Sequence, residues 1–445
     1  MNASPDSPDS PDSPGSPDAP DAPKGRGTAT SDTPAAASGK AAGGGMFASL
    51  RVRNYRLFFI GQFLSNSGTW MQFVAQDWLV FDLTGSTFAV GVTTALQFLP
   101  VLLFGLFGGV VADRYPKRRI LLTTQSAMGV FAALLAVLTL TDAVTVAHVY
   151  GFAFLLGLMN TFTNPAIQTF VVEMVGPERV GNAVSLGAVN FQSARLLGPA
   201  AAGPLIAVIG SGWAFAVNAL SYVAVIVSLL AVRTADLLPS RPQPREKGQI
   251  RAGLRHVREH PKLLWPILLV GFVCTFGFNF PTLLSGFTYN VFHGGAKEYG
   301  WLTTAVGVGA LGGALLSARR RSGRPWLLVA TAAGFGALEM ASSLAPRLWV
   351  FGLVLVLVGL LSVVFSTMAN SLVQLATDPA MRGRVMGLYM LVYTGGTPIG
   401  GPVVGWVVEH YGARSGILAC GAVATLAAAV FALALTRRGP RPATP

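Results

Sequence analysis

Charge is what this chain has least of. Only 11% of its 445 residues are Asp, Glu, Lys or Arg, whereas a soluble globular chain carries roughly 25%. A surface this poor in charge is not built for water, and the scarcity makes the position of each remaining charge informative. Cysteine is nearly absent too. Cys274 and Cys420 both lie inside apolar runs, which excludes a disulfide framework and a cysteine metal cluster. The five histidines, His148, His256, His260, His293 and His410, fall in loops or at the ends of apolar runs, so a buried histidine proton relay is not expected. No Ser/His/Asp set, metal-ligand spacing or phosphate-binding loop is present, so neither enzyme chemistry nor a cofactor is expected.

What the chain does contain is long uncharged runs, such as Leu263 to Phe287 and Leu348 to Thr377. Each is long enough to cross about 30 Å of hydrocarbon as a helix. Without water the backbone must satisfy its own hydrogen bonds, so these runs read as helices. The 52 glycines suit helices that approach one another closely in lipid. Spans are predicted near 57–80, 88–111, 120–141, 146–172, 183–209 and 212–232, then near 263–287, 299–318, 325–345, 348–376, 385–408 and 415–436. The expected fold class is an all-α membrane protein with twelve transmembrane helices.

The remaining segments divide the chain. Residues 1–45 are rich in Pro, Ser and Asp and bury too little apolar surface to fold, so a disordered cytoplasmic tail is expected there. The first apolar run begins near Leu57, too deep for an ordinary cleaved signal peptide. An amino-terminal six-helix bundle over 46–232 is expected, then a charged linker over 233–262. Within that linker Ile250, Leu254 and Val257 recur at helical spacing among basic residues, which predicts an amphipathic helix on the inner membrane surface. A second bundle over 263–436 and a short tail over 437–445 complete the chain.

Basic residues orient the spans. With both termini inside, 28 of the 32 Lys and Arg fall on the cytoplasmic side. Only Lys297, Arg347 and Arg414 fall outside, and Arg195 lies within a span. This segregation follows the positive-inside rule. It also accounts for the net charge of +13 without a nucleic-acid partner, since the charges sit in short separated loops.

The halves repeat. Gly109 and Gly312, Arg179 and Arg382, and the pairs Gly198-Pro199 and Gly401-Pro402 are all separated by the same 203 positions. Three landmarks in one ungapped register argue for a six-plus-six duplication, the way many secondary transporters build a central site.

The stretch GVVADRYPKRR, Gly109 to Arg119, together with ARLLGPAAAGP from Ala194 to Pro204, resembles the major facilitator superfamily. With RGRVMGLY and AQDWLVFDLTGS, these stretches look most like its enterobactin-exporter-like secretion-effector branch, over about residues 46–436. The resemblance implies two pseudo-symmetric six-helix bundles in the plasma membrane and efflux of drugs, antibiotics or siderophores driven by protons. It implies that Gly109, Asp113, Arg114, Lys117, Arg118 and Arg119 form a cytoplasmic latch facing the start of span eleven near Arg382 and Arg384; anchoring of the loop on the inner side by its charges is the other reading. Here Pro116 stands where the family usually has Gly, which alters the turn. In the second copy Leu316 replaces the Asp, so that half cannot make the same latch. Gly198, Pro199, Gly203 and Pro204, with Pro398, Gly401 and Pro402 in span eleven, resemble the kinked antiporter signature. Ordinary tight helix packing is the other reading of those residues.

Arg195 is the most informative single charge, because an arginine at mid-span costs at least about 2.5–3.5 kcal/mol on insertion scales. It must face a cavity or a partner, as a substrate-binding group or in a structural ion pair. Two acids are candidates for carrying protons. Asp77 lies near the outer end of span one, where it either carries a proton or reaches outer water, and Glu339 lies in the outer half of span nine. A central cavity lined by Trp70, Gln72, Gln97, Asn160, Asn164, Asn190, Asn279, Asn370 and Tyr393 would suit an amphipathic substrate; each of these is equally able to bridge helices. The partners expected are a small-molecule substrate, protons and the lipid bilayer, with the protein a monomer. An uptake carrier of the same fold, and a membrane enzyme or scaffold, are the alternatives to export.

Overall fold

The computed structural model describes residues 47–238, 249–318, 324–378 and 381–437, without the side chains of 106, 113 and 249–253. The tail expected over 1–45 and the basic run Arg319 to Arg321 lie outside the described residues. The described residues are helical and contain no strand. The first half holds α1 (Arg53–Thr84), α2 (Thr87–Arg114), α3 (Lys117–Leu140), α4 (Val146–Val175), α5 (Val180–Ile209) and α6 (Ser211–Ala231). After α7 (Gln249–Glu259) the second half holds α8 (Pro261–Phe272), α9 (Phe280–Gly286), α10 (Ala296–Ala318), α11 (Pro325–Ser342), α12 (Leu348–Ala376), α13 (Arg382–Gly395), α14 (Thr397–Tyr411) and α15 (Ala413–Thr436).

Among the described residues, eight helical segments are long and apolar enough to cross a membrane by length and composition alone. α1 and α5 are more polar, carrying Gln72, Gln76 and Asp77 in one and Asn190, Gln192 and Arg195 in the other. The outer faces of the helices are greasy. Val208 is 82% exposed, Leu344 76% and Leu375 75%. So much exposed apolar surface has no place in a water-soluble monomer and fits a lipid belt.

Two predicted spans are interrupted. Instead of one helix over 263–287, α8 passes into a π-helical turn at Val273–Gly277, breaks at Phe278–Asn279, resumes as α9 and ends in a second π-helical turn at Phe287–Val291. Pro281 has no N–H to return to the preceding turn. The Asn279 side chain supplies a donor instead, giving hydrogen bonds to the carbonyls of Thr275 at 2.6 Å and Phe276 at 3.1 Å. Span eleven is likewise divided at Gly396, just before Pro398, into α13 and α14.

The packing differs at the two ends of the bundle. The α2–α3 and α4–α5 connections and the start of α13 share one end, here called the basic end. There each half has its own hydrophobic core: Phe58, Leu121 and Phe170 belong to one, and Val270, Phe365 and Val385 to the other. At the opposite end a single core draws on both halves, joining Val74, Leu79 and Val90 to Leu283, Tyr299 and Val404. α7 lies within the linker segment. Its Val257 is buried in the second half's core, while Leu254 is 45% exposed.

Candidate functional site

Two helix seams join the halves, α2 against α14 and α5 against α10. The 203-residue repeat maps one seam onto the other. Both depend on glycine. A Cβ on Gly91 would collide with the Gly401 carbonyl, and a Cβ on Gly300 would stand 2.5 Å from the Gly203 Cα. The backbones therefore touch directly, as small residues permit in membrane helices. Two of the proposed kink positions, Gly203 and Gly401, are thus contact points between halves. Gly198 instead packs against Trp70 of α1. Pro199 is buried, and α5 runs on as one helix through Pro199 and Pro204. Pro398 opens α14, and Pro402 lies within it.

Between the seams sits Arg195. Its guanidinium lies over the Trp70 ring, 5.4 Å from the centroid, a cation–π arrangement. Trp70 is held edge-on by Phe73 at 5.6 Å and Phe191 at 5.7 Å. Tyr393 stands on α13, in the other half. Tyr393 stacks with Tyr389 at 6.1 Å and meets Phe278 edge-on at 6.4 Å. Among the described residues Arg195 has no ion pair. A cation over an indole ring, without an ion pair among the described residues, is suited to hold an anionic or hydroxyl-rich aromatic molecule.

The polar residues expected to line a cavity divide into two groups. Asn190 is a bridge: it accepts from the Asn66 amide at 3.0 Å and donates to the Phe59 carbonyl at 2.9 Å. Gln72 likewise accepts from Asn218 at 2.5 Å, and the Asn279 amide nitrogen is spent on its own helix break, while its Oδ1 is buried without a partner among the described residues. Asn370 accepts from Gln374 at 2.5 Å. Asn160 is half-buried, Asn164 is exposed, and the amide nitrogen of Gln97 is buried without a partner among the described residues. Among the described residues these last three, with the Asn279 Oδ1, keep hydrogen-bonding capacity free. A separate apolar pocket of about 350 Å³ is bounded by Leu102 of α2, Phe272 and Phe276, and Gly395–Gly396.

Both candidate acids are buried. Asp77, 4% exposed, does not reach water; its carboxylate accepts a hydrogen bond from the Tyr299 hydroxyl of α10 at 3.2 Å. Glu339 is 2% exposed, with no hydrogen-bond partner for either oxygen among the described residues. It stands beside Gly277, at the π-helical turn.

At the basic end the side chain of Asp113 lies outside the described residues. Gly109 is buried, while Arg114, Arg119 and Arg382 are exposed. Lys117 pairs with Glu173 of α4 at 3.3 Å. Arg118 donates to the Leu229 and Leu230 carbonyls at 2.8 and 3.0 Å, where a cation is favoured by the exposed carbonyls of a helix C-terminus. These two residues bolt α3 to its own half. Arg384 of α13 donates to the Met381 sulfur at 3.6 Å.

Sequence reasoning missed Tyr299 and Glu409. Glu409 accepts from the Ser86 hydroxyl at 2.5 Å and the Phe88 N–H at 3.2 Å, capping the start of α2 from the opposite half. Nothing in the local pattern marks either residue, because their partners lie 222 and 323 positions away.

Comparison with known proteins bears on this arrangement. A family model described as transmembrane secretion effector matches residues 44–440. Enterobactin exporter EntS of Shigella boydii is 29% identical over 361 residues, covering 79% of this chain and 84% of that protein. The Citrobacter koseri enterobactin exporter is 29% identical over 364 residues, with the same coverage. Among solved structures, a bacterial homolog of the human lysosomal transporter Spinster superposes with a TM-score of 0.68 at 16% identity, covering 88% of this chain and 99% of that one. The nucleoside transporter NupG gives 0.67 at 15% identity, covering 86% and 99%. At these identities the structural likeness speaks for the fold, which is that of the major facilitator superfamily.

Proposed function

We propose that this chain, which belongs to the transmembrane secretion effector family, exports small amphipathic organic molecules of siderophore, antibiotic or drug type. The observation that carries the reading is Arg195, a guanidinium without an ion pair among the described residues, held over Trp70 at the junction of the halves. Maintaining such a group inside a membrane protein is costly unless a ligand or cavity water serves it. The enterobactin exporters it resembles support a cargo of that class.

The mechanism we infer is alternating access coupled to proton entry, by twelve spans with both termini and the basic end in the cytoplasm. The basic loops support that orientation. One shared core at the opposite end and separate cores at the basic end support a carrier whose halves rock about the centre. Shared packing at the outer end then corresponds to a closed external mouth. Cargo would enter from the basic end, meet Arg195, Trp70 and Tyr393, and leave once the two glycine seams part. Asp113 would hold the cytoplasmic end closed in the opposite state, acting on the amino end of α13.

The test is flux in proteoliposomes under an imposed pH gradient, with enterobactin and unrelated aromatic amphiphiles as cargo. Gradient-driven movement of at least one of them, lost in Arg195→Ala, is expected. Absence of gradient-dependent flux for every amphiphile would sink the reading.

A further inference from the structure

The core shared by the two halves lies beside a buried acid that bonds from one half to the other. Asp77 on α1 and Tyr299 on α10 come from opposite bundles, and the Tyr299 hydroxyl donates to Asp77 Oδ2 at 3.2 Å. Both are sealed from water, at 4% and 1% exposure. The seal is aromatic: Trp78 lies 6.0 Å from the Tyr299 ring, and Phe81 meets Tyr289 of the other half at 5.1 Å. A carboxylate in such a place is tolerable only if it is neutral or fully paired. One phenol supplies a single donor to a group that accepts about four hydrogen bonds when ionised.

Among the described residues no cation balances it. On α1 itself Asp82 is exposed. On α10 Lys297 is exposed, and Glu298 accepts from the Gly295 N–H at 2.8 Å. On α4 His148 is engaged with Thr145 at the helix start, and Glu173 pairs with Lys117 at the far end. On α5 Arg195 lies over Trp70, two helical turns along α1 from Asp77. On α2 Arg114 stands at the basic end; α6 and α9 carry no charged residue. The same end also buries the Gln76 amide and the Thr282 hydroxyl without partners among the described residues. Polar groups orphaned in one arrangement are expected to find water in another.

We propose that Asp77 and Tyr299 form a proton-operated closure of the outer mouth. When the mouth is open, the carboxylate takes a proton from external water. As the neutral acid it can be buried, with the Tyr299 O–H donating to its carbonyl oxygen. When that proton leaves toward the cytoplasmic side, a charge with one donor remains in the seal, and the seams part. Proton entry thereby favours the closed mouth, and proton loss favours the open one. The direction fits export driven by an inward proton gradient, and this inference rests on that reading.

The experiment places spin labels at Leu83→Cys and Leu344→Cys, exposed positions on the two halves, with Cys274 and Cys420 replaced by alanine. Distances are measured in reconstituted full-length protein from acidic to alkaline buffer. The expected result is a shift toward longer distances as pH rises in the wild type, loss of that shift in Asp77→Asn with the short distance retained, and a displaced shift in Tyr299→Phe. A pH response in Asp77→Asn equal to wild type would overturn the proposal, as would an unaltered Tyr299→Phe profile. Proton-driven flux with no Asp77-dependent distance change would reject the closure while leaving export intact. A distance change without proton-driven flux would reject export and keep the closure.

Discussion

The carboxylate of Glu409 caps the first turn of α2 from the opposite half, accepting from the Ser86 hydroxyl at 2.5 Å while Ser86 itself accepts from the Ala89 N–H at 3.2 Å. An anion at a helix N-terminus is worth about 0.3–1 kcal/mol when exposed, and here that stabilisation exists only while the halves are together. Replacing Glu409 by Gln is therefore expected to shift the mouth toward opening by about two- to fivefold. Thiol-labelling rates at positions lining the α2–α14 seam would read this; unchanged rates would remove Glu409 from the closure.

Gly401 touches Gly91 backbone to backbone. Introducing a valine at Gly401 overpacks the seam by about 1–3 kcal/mol, enough to hold the mouth apart and reduce flux by about tenfold or more. Gly187 on α5 has nothing within 4 Å of a built Cβ. Gly187→Ala should transport normally and serves as the control. Equal behaviour of the two variants would contradict the role of the seam.

Arg195→Ala removes the cation from the aromatic ring and is expected to abolish transport or change its pH dependence, with Arg195→Lys intermediate. Lysine keeps the charge but not the planar fork, so an anionic cargo should still bind, more weakly by about tenfold. Wild-type kinetics in Arg195→Ala would dismiss it as a substrate group.

Asp113→Asn is expected to slow turnover at normal expression by weakening the proposed cytoplasmic latch. Turnover equal to wild type would refute that role.

Arg118 has a structural task, since it satisfies the last carbonyls of α6. Arg118→Ala should lower thermal stability by about 1–2 kcal/mol while flux per folded molecule stays close to wild type. A large flux defect without a change in melting temperature would assign it to gating instead.

The family and its all-helical membrane fold were legible in the sequence because the cost of placing ions in hydrocarbon leaves a one-dimensional record. Scarce charge, basic loops and the 203-residue repeat sufficed, and they singled out Arg195, which does lie between the halves. The sequence also marked Asn190 and Gln72 as polar residues in apolar surroundings. It did not reveal that both are consumed in bridges between helices, because polarity in a span looks the same whether it faces cargo or a neighbour. The basic run does not disclose the contacts of Lys117 and Arg118 either, which in the tertiary structure brace α3 against α4 and α6. The break at Asn279 depends on a side chain turning back to carbonyls that Pro281 cannot serve, a compensation that hydropathy does not register. Tyr299 and Glu409 belong wholly to the tertiary level. Each acts on a residue more than two hundred positions away, and only the packing of one half against the other brings a buried phenol or a carboxylate near a helix end to its partner.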